Sequence, residues 1–527
     1  MPADGDPDQI SALVGEVVPD GSCLVFCPTK KNCENVAVLL AKSLPKALRE
    51  HKYEAKRALY DELKSDCDGR LCGVLKVCIP SGVAYHHSGL TADERKLIQD
   101  AYLEGTLCCL CCTSTLAAGV NLPAKRVILR NPLVGNQFIS QKQYKQMSGR
   151  AGRAGLDSSG ESIVIVYPDQ KQKLVNMLCE QSENCQSRLL SDRSNDCLKS
   201  AILSVVGLKI CCTLQSLLQF MKCTLCYVQQ HRLQISLDVE VREAVNQLIE
   251  AKLLRCQNST DGFSDISCSK LGEATYKACI SVDLSSTLYD NLRQFLHCLT
   301  LNTRLHLLYL VVPYELDDIR PDWNIFYQEY VRLGPAERKV FDILGISEMY
   351  IMKRMTVQST KKTDPNSLRD LRLYVAMMLH RLWEQDSLVA VAERFALHRG
   401  LVQNLLKSTA SLAAAILRFC ENLDEFWALR SLLPEFVKQL SYCIHLELVP
   451  LMEIQGVKQA RARQLLKAGF KTVGDVARTS VETLTSSIDH LHAKQAKQMI
   501  VSAKMLVHEK MELLNEQAEE IIGQAVS

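Results

Sequence analysis

The 527 residues suffice for roughly three or four domains, each large enough to bury its own core. A net charge of +3 excludes an overwhelming basic tail, so any nucleic-acid surface has to be local. No cleavable apolar leader and no 18-residue apolar stretch occurs, which sets secretion and membrane spanning aside.

Residues 1–187 read as alternating strands and helices. Leu24-Val25-Phe26-Cys27 is a short apolar run, closed by Pro28-Thr29-Lys30 and followed by a helical pattern from Asn32 to Leu44. Further buried strands are expected at Leu107 to Cys112, Arg126 to Leu129 and Ser162 to Tyr167. Apolar runs of this length, separated by helices, predict a parallel sheet covered on both faces. The charged stretch from Lys46 to Val77 reads as a helical excursion on that lobe. Residues 188–282 give short helices, then two short strands around a polar turn at Asn258 to Gly262, the pattern of a winged helix. Residues 283–445 have helical period nearly throughout, with breaks expected at Pro313, Pro321, Pro335, Pro365 and Pro434. Residues 446–511 hold Ile454-Gln455-Gly456-Val457 before a basic helix, and residues 512–527 form a charged helical tail expected to fray. The fold class is therefore an α/β lobe followed by mainly α domains. The 23 cysteines lack the spacing of a secreted framework and sit in apolar runs, as small hydrophobes in a reducing, intracellular compartment do.

The strongest chemical signal is Gln146-Met147-Ser148-Gly149-Arg150-Ala151-Gly152-Arg153-Ala154-Gly155. Two arginines three apart among small residues can approach a triphosphate, and a guanidinium fork matches phosphate oxygens as charge develops on the transferred group. The competing reading is a glycine-rich surface turn with solvated arginines. Upstream, Thr113-Ser114-Thr115-Leu116-Ala117-Ala118-Gly119-Val120-Asn121-Leu122-Pro123 follows a buried strand, where open α/β sheets bind ligands. Before it, Tyr85-His86-His87-Ser88-Gly89-Leu90 leads into a helix start at Thr91-Ala92-Asp93-Glu94.

Taken together these three segments resemble motifs IVa, V and VI of the Ski2-like superfamily 2 DNA helicases, in the form of the Hel-Q (helicase POLQ-like) branch. The resemblance extends to about residue 510 and implies a second RecA-like lobe, a winged helix, a helical ratchet domain and a helix-hairpin-helix domain. It implies ATP-driven 3′ to 5′ translocation on single-stranded DNA, repair of stalled forks and crosslinks, single-stranded or forked DNA as partner, and a nuclear location. Arg150 and Arg153 would be the arginine fingers, with Gln146 and Gly149 beside the nucleotide; Gly119 and Asn121 would face it, with Mg²⁺ bound alongside. Thr113 and the His87 loop would meet DNA, and a β-hairpin within about Leu129 to Gln143 would part the duplex. Phe138 is the candidate wedge there, unless it packs against the lobe. The ratchet helix would run from about His398 to Cys420, with Ser411 and Leu412 where archaeal relatives carry a stacking tryptophan. Gly456, Val457, Arg461 and Arg463 would hold a DNA phosphate in the helix-hairpin-helix, whose usual second glycine is replaced by Lys458.

One departure stands beside these matches. No Gly-Lys-Ser/Thr phosphate loop occurs, and Asp61-Glu62, Asp93-Glu94 and Asp424-Glu425 fall in helical patterns, unlike a magnesium-binding DExH strand end. The chain is expected to carry half an ATPase site, as a fragment, an alternative product or an incomplete gene reading; the alternative, which the missing first lobe supports, is a non-catalytic DNA-binding or partner-binding fragment of the same family. Two tempting sites read differently: Cys108, Cys109, Cys111 and Cys112 as a structural strand, and His86-His87 as part of a loop near DNA rather than a metal site.

Overall fold

The computed structural model describes residues 6, 8–67, 70–117, 120–152, 159–181, 184–190, 195–258, 264–298, 303–316, 319–356, 366–384, 386–442, 448–457, 459–488, 491 and 493–526. The chain divides into two compact units, one of residues 1–183, 387–403 and 444–527, the other of residues 184–386 and 404–443.

In the first unit, chain order runs α1 (Ile10–Gly15), β1 (Cys23–Phe26), α2 (Lys30–Ser43), α3 (Tyr53–Asp66), α4 (Gly73–Cys78), β2 (Val83–His86) and α5 (Ala92–Leu103). It continues through β3 (Cys109–Cys112), β4 (Arg126–Leu129), β5 (Leu133–Val134), β6 (Gln137–Phe138), α6 (Gln141–Ser148), β7 (Glu161–Val164) and α7 (Lys171–Cys179). Five strands form one sheet in the order β2-β3-β1-β4-β7, every neighbouring pair parallel. Strands β1, β2 and β3 are buried along their whole length, which is why they carry no polar alternation. β7 lies at the sheet's edge and is half exposed; it ends at Val164 rather than Tyr167, although Ile165 still donates its N–H to Leu129. The cysteines of β3 are buried, and burial pushes the Cys111 and Cys112 thiols well above their usual range. Arg126 ties the edge together, pairing with Glu16 at 2.7 Å and with Glu161 at 2.6 Å.

The same unit takes in two later segments. Residues 387–403 group with this lobe: the first turn of the helix Arg399–Glu421 packs on the loop after β2, and Glu393 of the helix Leu388–Arg394 pairs with Arg70 at 3.0 Å. Helices Gln459–Lys467, Val473–Arg478, Val481–Ser487 and Ala493–Val526 enclose a core of Leu451, Ile454, Val457, Leu465, Val476 and Met499. The closing helix continues without a break through the residues expected to form a separate tail.

In the second unit, helices Asp196–Gly207, Leu214–Met221 and Leu237–Glu250 pack with an antiparallel pair, Leu254–Asn258 and Ser264–Cys268, as a winged helix does. Helices from Val282 onward follow. Pro335 opens one of them, while Pro434 sits inside the helix Trp427–Tyr442 instead of breaking it. Pro434 lies on the exposed face, where water can take the carbonyl left without its donor. Arg372 is buried and donates to the carbonyls of Tyr309, Leu310 and Val312, closing the end of the helix Leu305–Val311.

Candidate nucleotide and nucleic-acid site

Motifs V and VI meet at the carboxyl end of the sheet. Arg150 donates from Nε (3.2 Å) and Nη2 (2.6 Å) to the carbonyl of Ala117, in the turn Ser114–Ala117 that follows β3. Backbone bonds join the same loops: Ala124 N–H donates to Arg150 at 2.9 Å, and Gly152 N–H to Ala124 at 2.7 Å. Gly152 has φ +91°, a conformation that favours glycine. A Cβ at Gly160 would lie 2.4 Å from Gly152 N, so that neighbour must also lack a side chain. Gly149 ends α6 with ordinary helical angles, and Gln146 is exposed on the same helix. Thr113 Oγ1 lies 2.9 Å from Thr115 Oγ1 at the end of β3, and Asn121 is exposed further along the loop. Arg153 and Gly119 lie outside the described residues.

The motif IVa loop departs from expectation. His87 is 1 % exposed, stacked on Tyr85 with ring centroids 4.8 Å apart. Gly89 N–H donates to its Nδ1, which leaves the proton on Nε2, 3.6 Å from Glu34 Oε1. Burial pulls the imidazole down to about 4, so the ring is neutral at physiological pH. The expected contact of His87 with DNA is thereby corrected: the ring holds the loop together from inside. Glu94, also buried, caps α5 by accepting from Thr91 N–H and pairs with Arg399 at 2.9 Å. Cys67 joins them, donating to Glu94 at 3.3 Å and accepting from Arg399 at 3.0 Å. Gly400 N–H donates to Gly89 at 2.9 Å, and Gln403 accepts from Ala92 N–H at 2.7 Å. This joint escapes sequence reading because its halves stand some three hundred residues apart; a glycine one position past an arginine is its only trace.

The β5–β6 hairpin lies where the resemblance put it. Phe138 is half-buried against the lobe core, with the Lys173 ammonium 4.6 Å from its ring centre, so the packed alternative describes it and the exposed wedge does not. In the helix-hairpin-helix, Gly456 has φ +82° with open space around a would-be Cβ, so the turn itself calls for glycine. Val457 is corrected too: its side chain is core and its N–H donates to Ile454 at 3.0 Å. Arg461 is half-buried, donating to Gln464 at 2.8 Å and to Ser65 on α3 at 3.3 Å. Arg463 stands on the same helix. Among the described residues no cluster of His, Cys, Asp and Glu could hold a metal ion.

Comparison with known proteins agrees with this geometry. The helicase conserved C-terminal domain matches residues 44–155 and a helix-turn-helix domain residues 160–255. The DNA_pol_Q helicase-like region helical domain matches residues 285–440, and the SAM-like helix-hairpin-helix tandem residues 448–505. Helicase POLQ-like of Homo sapiens is 46% identical over 525 residues, covering 98% of this chain and 47% of that protein. Helicase POLQ-like of Caenorhabditis elegans is 38% identical over 97% of this chain and 57% of its own length. ATP-dependent DNA helicase Hel308 of Methanocella arvoryzae is 33% identical over 47% of this chain and 34% of its own length. The chain spans about half the length of the first two relatives. A RecA-like lobe carrying motifs IVa to VI, followed by these helical domains, makes the chain a member of the Ski2-like superfamily 2 helicases, corresponding to their C-terminal portion.

Proposed function

We propose that this chain forms the second-lobe and DNA-handling half of an ATP-dependent 3′–5′ translocase on single-stranded DNA, acting in the nucleus on stalled forks and crosslinks. The observation that supports this most is the joining of Arg150 to Ala117. It links the arginine that would sense a γ-phosphate to the turn holding Thr113 and Thr115, which would touch DNA. Arg150, Gln146 and Gly149 fit a phosphate chain by chemistry, offering a guanidinium, an amide and a side-chain-free approach. Mg²⁺ would arrive with the nucleotide and be held by carboxylates of a first lobe. ATP would supply the energy of stepping, while this chain's residues bind, orient and couple.

The test has two arms. The chain alone should show no DNA-stimulated ATP hydrolysis, because no Gly-Lys-Ser/Thr loop occurs in its sequence. In a form of the protein that also carries such a loop, Arg150→Ala should lower turnover by ~10³-fold while DNA affinity changes little. A comparable loss of DNA affinity would make Arg150 a DNA contact instead. Turnover by the chain alone that survives loss of Arg150 would sink the reading of the site.

A further inference from the structure

The helix Trp427–Tyr442 in the second unit presents an open face whose charges complement themselves. Its buried stripe, Leu429, Leu433, Phe436 and Leu440, is spent on the core of its own unit. The opposite stripe, Trp427, Arg430, Ser431, Pro434, Glu435 and Lys438, is exposed throughout, and Trp427 is 66% exposed. Tryptophan is highly buried on average and dominates the energetics of interfaces, so a ring left this open points to a contact surface.

The ring is presented rigidly. The turn Asp424–Phe426 before it is pinned from two neighbouring helices: Lys270 donates to Asp424 at 2.8 Å, Lys277 to Asn422 at 3.1 Å and Tyr289 to Glu425 at 2.8 Å. Phe426 is buried against the Tyr289 ring, centroids 5.3 Å apart. Two carboxylates directly before the tryptophan disfavour a phosphate backbone there, which leaves a protein surface as the fitting occupant. Among the described residues Arg430, Glu435 and Lys438 enter no ion pair; Glu435 only accepts from Gln439 at 3.1 Å, and Ser431 donates to the carbonyl of Trp427 at 3.3 Å.

The six exposed residues match their own order reversed. Trp427, Ser431 and Glu435 form one ridge spaced by four, and Arg430, Pro434 and Lys438 form the next. Laying such ridges into the same grooves of a second helix is the commonest way that helices pack. Under a two-fold axis that reverses the helix between Leu432 and Leu433, positions equidistant from the axis then meet. Arg430 would face the partner's Glu435, Trp427 the partner's Lys438 and Ser431 the partner's Pro434. These are an ion pair, an ammonium over an indole and a small hydroxyl against a proline, each made twice. We infer that this face is the seat of a second copy of this chain, joined to the first about that axis. The inference goes beyond the proposed DNA role and does not rest on it. One pair of such helices buries less than the ~1,200 Å² of a standard interface, so association should be weak, with a Kd on the order of 10 μM.

The test is sedimentation velocity of the whole chain, without nucleotide or DNA, from ~1 to ~200 μM, where a reversible dimer should appear. Arg430→Glu and Glu435→Arg each set two like-charged pairs across the axis, and each should weaken self-association by about tenfold or more. An equimolar mixture of these two variants should dimerise again, because both pairs in the mixed dimer are then of opposite charge. Misfolding of either variant could not produce that recovery. Trp427→Ala should weaken association by about tenfold as well. A chain that stays monomeric at ~200 μM overturns the inference and leaves the face to a different protein. A dimer that neither charge reversal weakens overturns it too, as does a mixture of the two variants that stays monomeric. Loss of single-stranded DNA affinity in Trp427→Ala with unchanged sedimentation would make the face a nucleic-acid surface and also overturn it.

Discussion

A methyl group added at Gly400 has nowhere to go. Its carbon would lie 2.2 Å from the Leu90 carbonyl oxygen, 2.3 Å from that of Ser88 and 2.8 Å from the Leu90 carbonyl carbon. All three are backbone atoms, so no side chain can swing aside. Relief requires the first turn of the helix Arg399–Glu421 to retreat, which breaks Gly400 N–H to Gly89 and Ala92 N–H to Gln403. Overpacking costs about 1–3 kcal/mol, and each broken bond contributes about 1 kcal/mol more, so Gly400→Ala should destabilise the first unit by roughly 3–5 kcal/mol. For a unit of this size that is a drop of roughly 10 °C in Tm. The assay can separate the units, because Trp323, Trp383 and Trp427 all belong to the second one. Calorimetry should show a transition move down while the tryptophan-detected transition stays put. Gly73→Ala is the control, since nothing lies within 4 Å of a Cβ there. A Gly400→Ala protein that melts within about 1 °C of the unaltered chain would refute the reasoning about the joint.

Three other outcomes follow from the same geometry. Burial holds His86 and His87 at about 4, below the ordinary 6.5, so the unfolded chain binds more protons between those values. The first unit should therefore be fully stabilised above pH 6.5 and lose a few kcal/mol as pH falls toward 4, seen as a falling calorimetric Tm that His87→Phe partly flattens. Glu94→Gln leaves Arg399 buried without its anion and should cost roughly 3 kcal/mol by urea unfolding, whereas an exposed pair such as Arg70–Glu393 should register under 1 kcal/mol. Deleting residues 446–527 should weaken single-stranded DNA binding and flatten its salt dependence together, by ~0.7 in log–log slope for each phosphate no longer neutralised; an unchanged slope would make the module a packing surface.

What the sequence made legible was whatever is local. Strand β4 falls where its apolar run predicted, the helix Arg399–Glu421 within a residue of its expected bounds, and the hairpin inside its expected segment, because each depends on neighbours a few positions away. What stayed hidden is pairing across distance. His87 looks like a polar loop residue until the loop after β2 sets it beside Glu34 with its ring stacked on Tyr85. Phe138 reads equally as a wedge or as a packed side chain, and what decides is Lys173, thirty-five positions later, which covers its face. The seat of Leu388–Arg394 stayed hidden for the same reason: it continues the helical period of its neighbours, yet its Glu393 reaches Arg70, some three hundred residues earlier.

The helix-hairpin-helix shows how a correct identification can rest on an incomplete physical reason. Glycine at 456 reads as clearing space for a phosphate, but its φ of +82° and the open surroundings make it first a requirement of the turn. Val457 N–H already donates to Ile454, and Arg461 divides itself between Gln464 and Ser65. Two of the groups assigned to phosphate binding are thus committed to holding the module's own shape and its seat on α3. Lys467 and Lys471 remain exposed on the same side of the sequence motif, and as flexible point charges they need no preset geometry to neutralise a backbone. In the proposed DNA role the module would grip by charge more than by a shaped phosphate cradle. A grip of that kind tolerates a missing second glycine, since it does not depend on close backbone approach.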